Sequence, residues 1–202
     1  MKLYEFGPAP SARRVSLFLA EKKIDIERVH VDIFKGDNLT DSFKAKSLNG
    51  KIPLLEIDDH THLCESIAIC RYLDQAFPTD NHLFGDSPLA SGTIEMWNRI
   101  IETQGLYPAF MAFRQLKGQF KDREDVILAK GEEAKKQVSE FLPVLEQQLS
   151  RHPYIAGDHF SVADITAYVL CSFTKVLGLE IDQHEAVNEW RDKVKARPAF
   201  QR

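Results

Sequence analysis

The chain has 202 residues, 44% hydrophobic and 28% charged, with 26 Lys and Arg against 30 Asp and Glu for a net charge of −4. That length holds one large domain or two small ones with a real core, and the composition excludes a disordered protein. The weak negative charge offers no global field for nucleic acid or an anionic lipid surface. No stretch approaches the ~18 apolar residues of a spanning helix, so neither a nucleic-acid nor a membrane partner is expected.

In chain order, Lys2 to Phe6 reads as a short strand, and Gly7-Pro8-Ala9-Pro10 breaks it because prolines withhold amide donors. Ser11 follows as an N-cap for a helix carrying Val15, Leu17, Phe18 and Leu19. Ile26 to Ile33 alternates apolar with polar residues and predicts a second strand. A short helix is expected over about 40–46, then brief strands at 53–57 and 60–63 joined through Asp58-Asp59. Glu65 opens a helix through Ala76. This alternation calls for a small mixed sheet covered by helices.

Residues 78–88, with Pro78, Gly85 and Pro88, read as a linker. Beyond it the strand pattern ends, and helices are expected over 89–118, 124–150, 161–177 and 184–196, an all-α bundle. Ser161 starts one of these, with Asp164 three positions on as its capping-box partner. Cys64, Cys70 and Cys171 cannot all pair, form no C-x-x-C and read as reduced thiols of a cytoplasmic protein. The opening residues lack the apolar run of a secretion signal, and no histidine stands at metal-ligand spacing.

Three local features carry chemistry. Pro8-Ala9-Pro10-Ser11-Ala12 joins a strand to a helix start, where free amides and the helix dipole favour an anion. In Gly50-Lys51-Ile52-Pro53, a proline opens a strand, a place where a cis bond can fix a tight turn. Cys64-Glu65-Ser66 is again a strand end feeding a helix. There the carboxylate suits an ammonium, and the seryl hydroxyl and amide suit a carboxylate.

In this order the three motifs resemble the N-terminal thioredoxin-like domain of the cytosolic glutathione transferases. Tyr154-Ile155-Ala156-Gly157-Asp158-His159-Phe160-Ser161-Val162-Ala163-Asp164 resembles that family's C-terminal capping-box motif. Together they span essentially the whole chain, and Phe34 to Phe43 is similar to the theta-like and nu-like bacterial members. The resemblance implies an α/β plus all-α architecture: a thioredoxin-like βαβαββα domain over 1–77, then an α-helical domain over 89–202. It also implies a cytoplasmic homodimer using glutathione as co-substrate with no metal. Ile52, before a cis Pro53, would hydrogen-bond the cysteinyl part of glutathione. Glu65 and Ser66 would hold the γ-glutamyl end, and Asn38 and Lys51 the glycyl carboxylate.

The chain departs from the theta pattern at Ala9, which stands where a catalytic serine is expected. Ser11 either donates to the sulfur in its place or merely caps the helix, and Tyr4 is a second candidate for that donor. Tyr107, Phe110, Met111 and Arg114 fall at i, i+3, i+4 and i+7, one helix face, and are expected to line the pocket for a hydrophobic electrophile. Trp97, Asn98 and Arg99 are expected at a subunit interface. The implied activity is conjugation of the glutathione thiolate to small hydrophobic electrophiles. Glutathione-dependent peroxide or disulfide reduction, and an interaction module with reduced turnover, remain as alternatives.

Overall fold

Leu3 and Leu55 are completely buried side by side on two antiparallel strands, β1 (Lys2–Glu5) and β3 (Leu54–Glu56). Around them, in this computed structural model describing residues 1–201, β2 (Glu27–His30) pairs parallel with β1, and β4 (His62–Leu63) pairs antiparallel with β3. The sheet order is β2-β1-β3-β4, the small mixed sheet of a thioredoxin-like domain. Side chains alternate across a strand, so Tyr4 and Leu54 lie on the opposite face from Leu3 and Leu55. Tyr4 there packs with Val31, Leu54 and Phe43 of α2 (Asp41–Lys44). Helices α1 (Pro10–Lys22) and α3 (Ser66–Ala76) pack on each other through buried residues such as Phe18, Leu19, Ile69 and Leu73.

The second strand is shorter than its sequence pattern. Asp32 Oδ1 accepts the Phe34 and Lys35 amides at 3.0 and 3.3 Å, an Asx turn that stops the strand. The start of α1 is also corrected. Its N-cap is Ala9, Pro10 takes the first helical position, and no side chain caps it, so Ser11 sits one residue inside the helix. Pro10 explains the shift, because its fixed φ suits the first turn and its missing N–H needs no cap.

The chain divides into two units, Met1–Asn81 and His82–Arg202. Residues expected to be plain linker contribute to the second. Leu83 and Phe84 are buried, the Leu83 carbonyl accepts the Val162 amide at 2.9 Å, and Ser87 caps the helix that follows.

The single helix expected over 89–118 is instead α4 (Pro88–Ile101), a π-helical turn (Glu102–Leu106) and α5 (Tyr107–Lys117). Pro108 in the first turn of α5 has no N–H for the preceding turn. Gly105 within the π turn lets the backbone meet the helices that carry Phe141 and Leu170, since a Cβ there would overlap Leu170 Cδ2 and stand 2.9 Å from Phe141 Cδ1. Helices α6 (Leu128–Leu149), α7 (Val162–Thr174) and α8 (Glu185–Lys195) complete this unit.

The capping box at Ser161 is present and extends further than its spacing suggests. The buried Asp164 carboxylate accepts the Ser161 amide, the Ile155 amide and the Trp190 indole N–H, each at 2.9 Å. Burial pushes this carboxyl up, and the donors oppose that. Glu146 receives the Ala186 and Val187 amides at 3.0 Å, tying α6 to the start of α8. Asn98 is fully buried and accepts the Thr166 hydroxyl at 2.6 Å, so it is a core tie between α4 and α7 rather than a surface residue.

Candidate active site

Strand register brings the three N-terminal motifs to one end of the sheet. Tyr4 pairs with Leu54, so Ile52 and Pro53 lie beside the end of β1, where the chain turns into α1. Leu55 pairs with Leu63, and extending that antiparallel ladder sets Pro53 opposite Glu65, where α3 begins. The Ile52–Pro53 peptide bond is cis. Ile52 makes no backbone hydrogen bond among the described residues, leaving its N–H and C=O for an extended ligand.

Two helix N-termini end here. In α1 the first helical bond to Ala9 comes from Arg13, so the Ser11 and Ala12 amides have no intrahelical acceptor. In α3 the Glu65 carbonyl first accepts from Ile69, leaving the Ser66, Ile67 and Ala68 amides in the same condition. Ser66 is buried at the first position of α3. Glu65, its N-cap, is exposed and held at φ 66°, a left-handed conformation that non-glycine residues rarely adopt.

The loop before the cis bond is internally braced. Asn38 Nδ2 donates to the Gly50 carbonyl at 2.8 Å, so that end of Asn38 holds the loop, while its buried Oδ1 has no hydrogen-bond partner among the described residues. Ser47 donates to the Lys51 carbonyl at 3.2 Å, and Asn49 links Lys51 to Glu65. The Lys51 side chain is exposed. Ser47 and Asn49 were not candidates, because each reads as an ordinary polar loop residue until the loop is folded.

The two candidate thiol-activating hydroxyls are placed differently. Ser11 is partly buried and does no capping. Tyr4 donates to Glu56 Oε2 at 2.9 Å and accepts from Lys46 Nζ at 3.1 Å, with its ring edge-on to Phe43. That commits its hydroxyl to the α2 face of the sheet. Lys46, closely paired with Glu56, and the Tyr4 hydroxyl hold the Glu56 carboxyl down at about 2. The thiols of Cys70 and Cys171 are pushed up to about 12 by burial, which keeps them unreactive.

In the helical unit, Tyr107 and Met111 are exposed on α5 and Phe110 stands between them, its ring 6.4 Å from that of Tyr107. Arg114, one turn further, departs from this apolar face. Its Nε donates to Glu124 Oε2 at 2.8 Å and its guanidinium lies 4.6 Å from the Phe120 ring. Phe173 of α7 joins the aromatic group instead, edge-on to Phe110 at 5.9 Å and to Phe113 at 5.4 Å. Its sequence position, within a buried helix, carried no signal of this. Among the described residues no group of three or more His, Cys, Asp or Glu could hold a metal ion, and no helix is long and apolar enough to cross a membrane.

Known proteins resemble the chain along its whole length. Residues 9–76 match the glutathione S-transferase N-terminal domain and residues 102–198 the C-terminal domain. A glutathione S-transferase of class Gtt2 from Vibrio parahaemolyticus is 51% identical, with a TM-score of 0.89 over 100% of this chain and 96% of that one. Gtt2 from Saccharomyces cerevisiae is 30% identical, with a TM-score of 0.94 over 100% and 99%. Glutathione S-transferase F10 of Arabidopsis thaliana is 32% identical over 94% of this chain and 90% of its own. With both family domains matched in order along a thioredoxin-like unit and a helical one, the chain belongs to the glutathione S-transferase family.

Proposed function

We propose that this transferase, of the Gtt2 type by its likeness to the Vibrio protein, conjugates the thiolate of glutathione to small hydrophobic electrophiles. The observation that carries the reading is the convergence of three features at one end of the sheet: the free amides of α1, the cis Ile52–Pro53 bond, and Glu65–Ser66. The tripeptide would lie along Ile52, with its cysteinyl backbone on that residue's N–H and C=O. Its γ-glutamyl ammonium would meet Glu65, and its α-carboxylate the Ser66 hydroxyl and the amides of α3. Lys51 would serve the glycyl carboxylate, while Asn38 acts by holding the loop.

The sulfur would sit at the head of α1, near the Ser11 and Ala12 amides and the Ser11 hydroxyl. The thiol loses its proton to water, and these donors stabilise the thiolate. The thiolate then attacks an electrophilic carbon, forming a C–S bond while the leaving group departs with its electron pair. For the electrophile, the apolar group Tyr107, Phe110 and Met111 is the candidate surface on the helical unit, an assignment resting on the family. A cytoplasmic homodimer is part of the same reading, resting on the family.

Calorimetric titration with glutathione, followed by a conjugation assay with an activated chloronitrobenzene, tests this. Saturable binding that weakens in Glu65→Ala and Ser66→Ala supports it. No binding at millimolar glutathione would leave only an interaction module.

A further inference from the structure

Asn49 lies in the loop between α2 and β3 and makes contacts from both ends of its side-chain amide. Its Oδ1 accepts the Lys51 amide at 3.0 Å. Its Nδ2 donates to Glu65 Oε1 at 3.2 Å, across 16 residues of sequence. The Lys51 amide can only donate, so the side-chain oxygen is the end that meets it, which aims the N–H at Glu65. The Glu65 side chain is exposed, its backbone is held at φ 66°, and its Oε2 has no partner among the described residues.

An exposed glutamate otherwise samples several rotamers, and that freedom is lost on binding. Here one carboxylate oxygen is held before any ligand arrives and the other is left open. The same side chain also braces the loop that ends in the cis Ile52–Pro53 bond, so the two subsites are linked through one residue.

We propose that Asn49 is a positioning residue for glutathione: it holds Glu65 Oε1 so that Oε2 meets the γ-glutamyl ammonium. This rests on the assignment of Glu65 given above. The ammonium is remote from the sulfur and does not change as the C–S bond forms. Its binding is therefore equal in ground and transition states and is read in KM rather than kcat.

The test compares glutathione with its analogue lacking the γ-glutamyl amino group, using wild type, Asn49→Ala and Asn49→Ser. The seryl oxygen still closes a turn onto the Lys51 amide but is too short to reach Glu65. Asn49→Ser is expected to raise KM for glutathione about three- to tenfold, with kcat unchanged and KM for the analogue unaffected, whereas Asn49→Ala, which also loses the loop contact, raises KM for both thiols and for glutathione more. An equal rise in KM for both thiols, or wild-type discrimination retained in Asn49→Ser, means that Asn49 only shapes the loop and overturns the proposal. If wild type itself fails to distinguish the two thiols, the assignment of Glu65 to the ammonium falls, and the proposal with it.

Discussion

Replacing Ser11 by Ala removes one hydroxyl from the head of α1 and leaves the backbone donors in place. An unperturbed thiol titrates near ~8.5, and bringing it to about 6.5–7 takes ~2–3 kcal/mol of preference for the thiolate. The end of α1, with the unpaired Ser11 and Ala12 amides, contributes ~0.3–1 kcal/mol, rising to about 2 where partly buried. One charge-assisted hydroxyl donor contributes ~1.5–3 kcal/mol. In Ser11→Ala the thiol pKa in the glutathione complex should therefore rise by about 1 to 2 pH units. At pH 7 the thiolate fraction, and with it the conjugation rate, should fall by about three- to fiftyfold.

Because no side chain caps α1 and Ser11 is already inside the helix, the fold should lose less than about 0.5 kcal/mol. Ultraviolet titration of the bound thiolate, paired with kcat against pH, measures both quantities, and thermal unfolding checks the third. An unchanged pKa and rate would refute the role of the hydroxyl and leave thiolate stabilisation to the backbone amides alone.

Two further outcomes concern stability. Glu56 is held at about 2, against an ordinary value of 4.5, by Lys46 and Tyr4. The unfolded carboxyl thus binds its proton first, so this stabilisation is complete above pH 4.5 and lost as pH falls from 4.5 toward 2. With Lys46 partly exposed, about 2 kcal/mol is at stake. Glu56→Gln should lower Tm at neutral pH and flatten the acid limb, and an unaltered acid limb would contradict the assignment. Gly105→Ala forces a methyl against Leu170 and Phe141, costing ~1–3 kcal/mol by overpacking. Denaturant unfolding measures it, and a neutral result would mean that the π turn relaxes freely.

The features legible in the sequence are those whose cause is local. A proline opening a strand, a Glu-Ser pair at a helix start and Ser161 three residues before Asp164 each announce a backbone event within a few positions. All three stand where local chemistry predicts. Helix one is an instructive miss. Ser11 has the chemistry of a cap, but Pro10 needs none, and the cap position moved to Ala9. The helix expected over 89–118 was misread for a different reason. Apolar spacing continues through Gly105 and Pro108, and only their packing reveals the π turn.

Length and charge bounded the chain to one or two ordinary domains, and its motifs, in their order, resembled one family. The tertiary structure decided which polar side chains remain available to a ligand. Tyr4 is taken by Glu56 and Lys46, 52 and 42 residues away, and Arg114 by Glu124. Asn49 is joined to Glu65, and Phe173 enters an aromatic group on α5. Helix caps and prolines act through neighbouring backbone atoms, so sequence encodes them directly. A hydrogen bond between distant residues depends on strand register and on which donors compete for each acceptor, and these are set only when the chain has packed.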